Sequence, residues 1–415
     1  MRELLVTGEF PPAVGGVGDY TDRLAAALTD RGEDVYVLTS EKPLSSRDAI
    51  NEDAWWALKA DSHVSRSMAH WDIRSWRPFA AFVRHIKPDI VHFQFQAAAF
   101  GLQSVVPFGP SSLRTWSIRP LVVTTFHDVL PPHFFPLSGR LGLDRRAPIW
   151  MAKGSDAVVV TNRGDQAYLK ATGIRTIRYI PIGANILPPP ESVDRLLWRQ
   201  QRGIADDELV LANFGFTNAT KGLEDLVQAT ARLARNGAPI RLLIIGGGTG
   251  QSDQTNISTQ SKLERFIADF DIRQRVIFTG YESAQTVSAD LEAADIVVLP
   301  FRDGYSLRRG TLMAALAHGC CIVTTTPQEG LEELPEGAVL TYQSGNIEEL
   351  IVALQLLSHP SQRAMRKERA REAAQRFTWD QIAREHVLLY WDLCIPPDAD
   401  RPDPGGNATR IGASG

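Results

Sequence analysis

The chain has 415 residues, 44% hydrophobic and 22% charged, with a formal net charge of -4 and a pI near 6.2. That length can bury a large core and has room for two domains of ordinary size, while the charge excludes bulk attraction to nucleic acid, so any anionic ligand needs a local site. Three cysteines, Cys320 beside Cys321 and Cys394 far away, form neither a disulfide framework nor a metal-ligand spacing. The N-terminal apolar run is too short for a signal peptide and no later run approaches bilayer length, so the expectation is a cytoplasmic protein, at most peripheral at the inner face of the membrane.

Short β-branched runs alternate with stretches of helical period, the pattern of parallel sheets with helices on both faces. In the first half, strands are expected at Leu4 to Thr7, Val35 to Thr39, Ile90 to Phe95, Leu121 to Phe126, Ala157 to Thr161 and Thr176 to Pro181. The first of them feeds GEFPPAVGGVGDY, where a helix begins around Gly18 with Tyr20, Leu24 and Leu28 on one face. Gly15, Gly16 and Gly18 let backbone approach a ligand at that helix start, where free N–H groups and the dipole favour a diphosphate; a tight turn with conformational glycines is the plain alternative. Only Gly16-Val17-Gly18 matches the dinucleotide fingerprint and no acid ends the next strand, so a nicotinamide enzyme is disfavoured.

Further along, His92, Gln94 and Gln96 alternate on one face and could line a cleft. Thr124-Thr125-Phe126-His127-Asp128 ends a strand on the side where open α/β sheets bind ligands. There His127 can donate to a sugar hydroxyl with Asp128 orienting it, or the pair can simply cap the loop. Pro188, Pro189 and Pro190 stiffen a linker. A second set of strands follows at Leu209 to Phe214, Ile240 to Ile245, Val276 to Thr279, Ile296 to Pro300 and Ile322 to Thr326. Residues 1–186 are therefore expected to form one domain, 187–207 the linker, 208–375 a second domain and 376–395 a helix packing back toward the first. Residues 396–415 are expected to form a disordered tail.

In the second half, the loop from Phe214 to Gly222 joins a strand to a helix, with Lys221 where that helix begins. A cation there opposes the helix dipole, and a bound anion gives it a reason. FRDGYSLRRGTLMAALAHG then sets Arg308, Arg309 and Gly310 before another helix, so that two guanidinium groups and the N–H groups of Gly310, Thr311 and Leu312 can hold a pyrophosphate. No H-E-x-x-H and no cysteines paired at ligand spacing are present, so no resident metal or cofactor is expected.

FPPAVGGVGDY, PDIVHFQF, TFHD, SDAVVVTN, IPIGAN, GFTNATKG, LLIIGGG, FTGY, ADIVVLPF and GTLMAALAHGCCIVTT stand in an order that resembles the large retaining glycosyltransferases of family four. The resemblance runs from Leu4 to about Tyr390. It implies the GT-B architecture, two Rossmann-like doubly wound parallel-sheet domains facing a central cleft, and transfer of a sugar from a nucleotide-diphosphate sugar to an acceptor hydroxyl with retention and without metal. The acceptor would be a sugar, a glycan or a lipid-linked sugar, in glycan, polysaccharide or glycolipid synthesis.

Carried over residue by residue, Lys221 contacts the diphosphate, Gly280 and Tyr281 flank the base, Gly16 approaches the donor phosphate and His127 touches the transferred sugar. Asp19, Tyr20, His92, Gln94 and Asp128 fall on the acceptor side. The catalytic set is His127, Lys221 and Arg309. Two departures stand out. The family's paired glutamates are Ser306 and Ala314 here, and its arginine beside the second-domain glycine is Phe216. Arg308 or Arg309 is expected to replace the lost charge and Ser306 to take a sugar contact. Rival readings are a phosphorylase or epimerase on the same scaffold and a noncatalytic sugar-nucleotide binder.

Overall fold

The computed structural model describes residues 1–13, 15–41, 63–102, 105–117, 119–129, 143–215, 221–246, 254–327 and 334–394. Two wholly parallel sheets organise them. The first contains β1 (Arg2–Thr7), β2 (Asp34–Ser40), β3 (Val64–Met68), β4 (Ile90–Phe95), β5 (Leu121–Phe126), β6 (Ala157–Val160) and β7 (Ile177–Tyr179) in the order β3-β2-β1-β4-β5-β6-β7. The second contains β8 (Leu209–Phe214), β9 (Ile240–Ile245), β10 (Val276–Gly280), β11 (Ile296–Leu299), β12 (Ile322–Thr325) and β13 (Leu340–Tyr342) in the order β10-β9-β8-β11-β12-β13. Strand order reverses between β1 and β4 and again between β8 and β11, and a crevice at the carboxyl ends of such a pair is where these sheets bind ligands.

Among the described residues, α1 (Gly16–Asp30), α2 (Trp76–Ile86), α3 (Gly109–Leu113), α4 (Leu143–Gly154) and α5 (Arg163–Ala171) accompany the first sheet. After α6 (Arg195–Gln201), the second sheet carries α7 (Leu223–Arg235), α8 (Gln254–Asp269), α9 (Ala284–Ala293), α10 (Gly310–Ala317) and α11 (Ile347–Leu356), and α12 (Pro360–Ala374) and α13 (Trp379–Cys394) end the described chain. Each sheet has an apolar cluster on both faces, as a helix-covered parallel sheet requires. β4 is buried along its whole length, and so is β6.

β3 and β13 are the two strands without a sequence expectation. VSRSM carries too few apolar residues to form a run, and LTY is three residues long; both lie at sheet edges, where one-sided pairing demands little burial. The stretch 187–207 is more than a proline stiffener. Asp194 caps α6 by accepting the N–H groups of Leu196 and Leu197, and the buried indole of Trp198 donates to Asp290 at 2.8 Å, tying this segment to the second domain. α13 instead lies on the first sheet beside α1, where Ile382, Ala383, Val387 and Tyr390 join Leu5, Leu24 and Leu28 in one cluster. The chain thus crosses between the sheets twice. Residues 396–415 lie outside the described residues, and so does Phe216.

Candidate active site

At the β8/β11 reversal two cations, Lys221 and Arg309, come together around one carboxylate, Asp303. β8 ends at Phe214, Gly215 turns with φ 130°, and Lys221 and Gly222 lead into α7. The loop after β11 brings Phe301 under two cations: the Lys221 ammonium is 4.8 Å from its ring centroid and the Arg309 guanidinium 4.7 Å. A Cβ on Gly215 would sit 3.0 Å from Thr311 Cγ2 and 3.7 Å from Lys221 Nζ, so Gly215, Lys221, Thr311 and Arg309 border one space.

The donors there are incompletely used. Arg309 Nη2 donates to Asp303 at 2.6 Å, but its buried Nε has no partner among the described residues, and neither has the buried Thr311 hydroxyl. Burial, the Arg309 charge and, in the opposite sense, Asp303 set the Lys221 ammonium, which is pulled down to about 8. Burial also lowers Arg309, with Asp303 opposing. Two cations against one carboxylate, at the start of α10 where N–H groups are free, form a site short of negative charge. Leu312 departs from expectation: its N–H already donates to the Arg309 carbonyl at 2.9 Å and its side chain is buried, so the amides left at this helix start are those of Gly310 and Thr311.

Arg308 stands outside the pair over Phe301, although its charge also lowers Arg309. It is exposed, its N–H reaches the Ser306 hydroxyl at 3.4 Å, and its charge is felt by Asp165 at the start of α5 in the first domain. Asp165 is raised by burial, while Asn162, Arg308 and the Val129 N–H pull it down. Ala314 is 1% exposed inside the core, so nothing at that position reaches a ligand. Gly280 has φ 74° and Tyr281 is 81% exposed, an aromatic face open to a planar partner. Asp269-Phe270-Asp271 spells an Asp-x-Asp triplet, but it closes α8 at the amino ends of the strands, away from these loops. Among the described residues no group of three or more His, Cys, Asp or Glu side chains could hold a metal ion, and no helix is long and apolar enough to cross a membrane.

The first domain faces the β1/β4 reversal with a site unlike the one the glycines suggest. Glu9 Oε1 accepts the N–H groups of Val17 at 3.0 Å and Gly18 at 3.2 Å. A Cβ on Gly15 would fall 2.2 Å from that carboxylate. The start of α1 is therefore occupied by the chain's own anion, and Gly15 is a glycine because Glu9 fills the place of its side chain. Only Gly16 is open, with nothing within 4 Å of an added Cβ. Burial raises Glu9, against the pull of the two amides. Asp19 beside it has an open surface, but partial withdrawal of its carboxyl from water, then the like charges of Glu9 and Asp22, push it up to about 6 against the pull of Arg23.

Behind them, His127 is held by Gln94, whose Oε1 is 3.1 Å from Nε2, and burial takes its pKa down to about 3, so the imidazole is neutral. Gln94 itself is 0% exposed and so positions His127 from below; it does not meet an acceptor. His92 is corrected in the same way. Its ring is fully buried between the Tyr390 hydroxyl at 2.6 Å and the Thr125 hydroxyl at 2.7 Å, pinning α13 to the first sheet. Tyr20 is 2% exposed, edge-on to His127 at 4.7 Å and to Trp379 at 5.2 Å. It too supports the ring from within. Asp128 is half-buried and adds its charge to that of Asp165.

Glu9, Phe301 and Asp303 were missed as site residues. A carboxylate shortly before a glycine-rich helix start is a legible capping signal for Glu9, and Asp303 lies in the same short loop as its partner Arg309.

A cavity of about 470 Å³ at the opposite end of the second sheet is lined by Arg199, Glu208, Asp295 and Arg363. Its buried charges are paired: Asp295 takes Arg195 at 2.9 Å and Arg199 at 3.0 Å, and Glu208 takes Arg241 at 2.9 Å, while Asp206 and Asp207 add acid to its rim. It lacks the excess of positive charge found at the β8/β11 crevice.

Residues 14–186 match the family model described as Glycosyltransferase Family 4, and residues 208–359 match Glycosyl transferases group 1. The chain is 31% identical to the alpha-D-kanosaminyltransferase of Streptomyces kanamyceticus over 25% of its own length and 24% of that protein. It is 25% identical to an uncharacterized glycosyltransferase of Methanocaldococcus jannaschii over 94% of this chain and 98% of that one. It is 23% identical to a GDP-mannose-dependent alpha-(1-6)-phosphatidylinositol monomannoside mannosyltransferase of Mycolicibacterium smegmatis over 72% of each. In fold it resembles the sucrose-phosphate synthase of Thermosynechococcus elongatus, with TM-score 0.72 and 20% identity over 95% of this chain and 99% of that one. Anabaena HepE in complex with UDP-glucose gives TM-score 0.69 and 19% identity over 94% and 98%.

Proposed function

Because the chain belongs to the GT-B glycosyltransferases of the family-four type, we propose that it moves a sugar from a nucleotide-diphosphate sugar to an acceptor hydroxyl, with retention, in glycan or glycolipid synthesis. The observation that carries the donor side is the pair of cations Lys221 and Arg309 over Phe301, with Asp303 as their one carboxylate, beside the N–H groups of Gly310 and Thr311. A diphosphate placed there is met by two charges and by amides already aimed, so the negative charge that grows on the leaving phosphate is stabilised without reorganisation. Tyr281 offers the base a face to stack on. Neutral His127, with Nε2 engaged by Gln94, keeps Nδ1 to accept a sugar hydroxyl. Asp19 takes the acceptor side. Retention and metal independence are read from family membership, and the acceptor class from the phosphatidylinositol mannosyltransferase relative.

A noncatalytic sugar-nucleotide binder has one observation in its favour, the replacement of the family glutamates by Ser306 and the core residue Ala314. A panel of nucleotide sugars tests both readings. One or two of them should raise the melting temperature, as any ligand specific for the folded state does, and should be hydrolysed slowly without acceptor. Binding without hydrolysis or transfer favours the binder; no shift with any nucleotide sugar overturns the donor site.

Glu9 sharpens the prediction. If a donor phosphate approaches Gly16, it meets a resident carboxylate that already holds the helix amides. Glu9→Gln keeps an oxygen for Val17 and Gly18 and removes the charge. Calorimetric titration should then show tighter binding of the true donor by about five-fold, the worth of one like charge at a few ångströms in a solvated cleft. Unchanged or weaker binding means that phosphate never comes near α1.

A further inference from the structure

The loop that carries the exposed Tyr281 is anchored from beneath by charges that the transfer site leaves unused. Glu282 follows Tyr281 directly, and Asp290, fully buried, lies on the α9 helix that the same loop starts. The two carboxyl groups are in hydrogen-bond contact and share one guanidinium. Arg202, at the end of α6, donates from Nη2 to Asp290 Oδ1 at 2.5 Å and to Glu282 Oε1 at 3.3 Å. The Trp198 indole gives Asp290 Oδ1 a second donor at 2.8 Å, and the Arg202 guanidinium lies 5.4 Å from the Trp198 ring centroid. The other two oxygens, Asp290 Oδ2 and Glu282 Oε2, are also buried, and neither has a partner among the described residues. Asp295, just past α9, has its own cations in Arg195, Arg199 and Arg363.

Two ionised carboxylates side by side, with one cation between them and two buried oxygens lacking donors, repel each other where little water screens them. One proton removes the repulsion and satisfies both oxygens at once. An Asp290 carboxyl that accepts twice at Oδ1 can give its Oδ2 hydrogen to Glu282 Oε2. Burial first, then the contact with Glu282 and its charge, hold Asp290 up at about 7 against the pull of Trp198 and Arg202. We propose that Asp290 and Glu282 share one proton between Oδ2 and Oε2, and that this pair, bridged by Arg202, positions the Tyr281 loop for the nucleotide base. The positioning role rests on the transferase reading, whereas the shared proton does not. Arg202 bridges Oδ1 and Oε1 in either protonation state, so titration of the pair is read in stability rather than in donor affinity.

Asp290→Asn tests the proton, because its amide keeps Oδ1 for Trp198 and Arg202 and offers an N–H to Glu282. Asp290 holds its proton more tightly folded than unfolded, so its contribution to stability is full below the unfolded carboxylate range and is lost as pH rises through about 7. Thermal unfolding of the full chain should therefore show the variant gaining on wild type by about 3 °C between about pH 5 and about pH 8. Lys221 is common to both proteins and cancels. Calorimetric titration with UDP, GDP and inorganic pyrophosphate tests the loop. Glu282→Ala should weaken the tighter nucleotide by about five-fold, leave pyrophosphate unchanged, and add nothing further to Tyr281→Ala. A lower melting temperature for Asp290→Asn at about pH 8, or an equal change at both pH values, would show an ionised Asp290 in an ordinary ion pair and overturn the shared proton. Wild-type nucleotide affinity in Glu282→Ala, or an equal loss for pyrophosphate, would overturn the positioning role while the donor reading stands. Failure of the wild-type protein to bind any of the three would bring down the donor reading, and the role of the loop with it.

Discussion

Replacing Lys221 by Met should lower kcat/KM for the nucleotide-sugar donor by about 10² to 10³, the usual loss when one preorganised donor to a developing oxyanion is removed. The folded protein should lose no stability. Without a ligand, the Lys221 ammonium is buried beside the like charge of Arg309, with Asp303 as their shared carboxylate, and it is already pulled down to about 8. Methionine keeps the packing on Phe301 and removes the repulsion. Steady-state donor consumption and thermal unfolding, measured on the same preparation, check both halves. Full activity in the variant would remove Lys221 from the site.

The same group sets a pH dependence. A diphosphate prefers the protonated amine, so donor affinity should be level below pH 8 and fall as pH rises through it, with Lys221→Met abolishing the trend. Stability of the ligand-free protein runs the other way. The folded pKa lies below the unfolded value, so the unfolded chain binds more protons between the two, and the Lys221 contribution improves as pH rises from about 8 toward that of a free lysine.

Gly222→Ala should cost the fold several kcal/mol, about 3 or more, and take the activity with it. Gly222 is the N-cap of α7 at φ 60°, and a Cβ there would lie 2.1 Å from the carbonyl oxygen of Pro300 at the end of β11. The obstacle is backbone, so no rotamer relieves it; either the loop bearing Lys221 or the one bearing Phe301 must move. Gly310→Ala is the control, since nothing lies within 4 Å of its added Cβ. Chemical denaturation should show the first variant strongly destabilised and the second close to wild type. A small loss at Gly222 would mean that the two loops do not touch as described.

These two residues also show what a single sequence could reveal. The buried strands were legible because a parallel strand covered on both faces is a mainly apolar run, and Ile90 to Phe95 and Leu209 to Phe214, with only His92, Gln94 and Asn213 as polar members, match their strands residue for residue. Lys221 and Arg309 stood out in the sequence because a cation at a helix start is locally unfavourable and asks for an anion, and the structure brings the two together over Phe301. His92, Gln94 and Tyr20 were not. Strand alternation says that His92 and Gln94 share a face, but only tertiary packing decides that α13 covers that face, closing it with Tyr390 from nearly three hundred positions away. Glu9 defeated the glycine argument for a related reason. A helix start attracts whichever anion is nearest, and the chain supplied one of its own.

The most direct measurement is a crystal structure of the protein with the nucleotide sugar that gives the largest thermal shift. The diphosphate should lie at the start of α10, with phosphate oxygens within hydrogen-bond reach of Lys221 Nζ, Arg309 Nε and the N–H groups of Gly310 and Thr311. A diphosphate bound elsewhere, with Lys221 and Arg309 still stacked on Phe301 and touching no phosphate, would contradict the account.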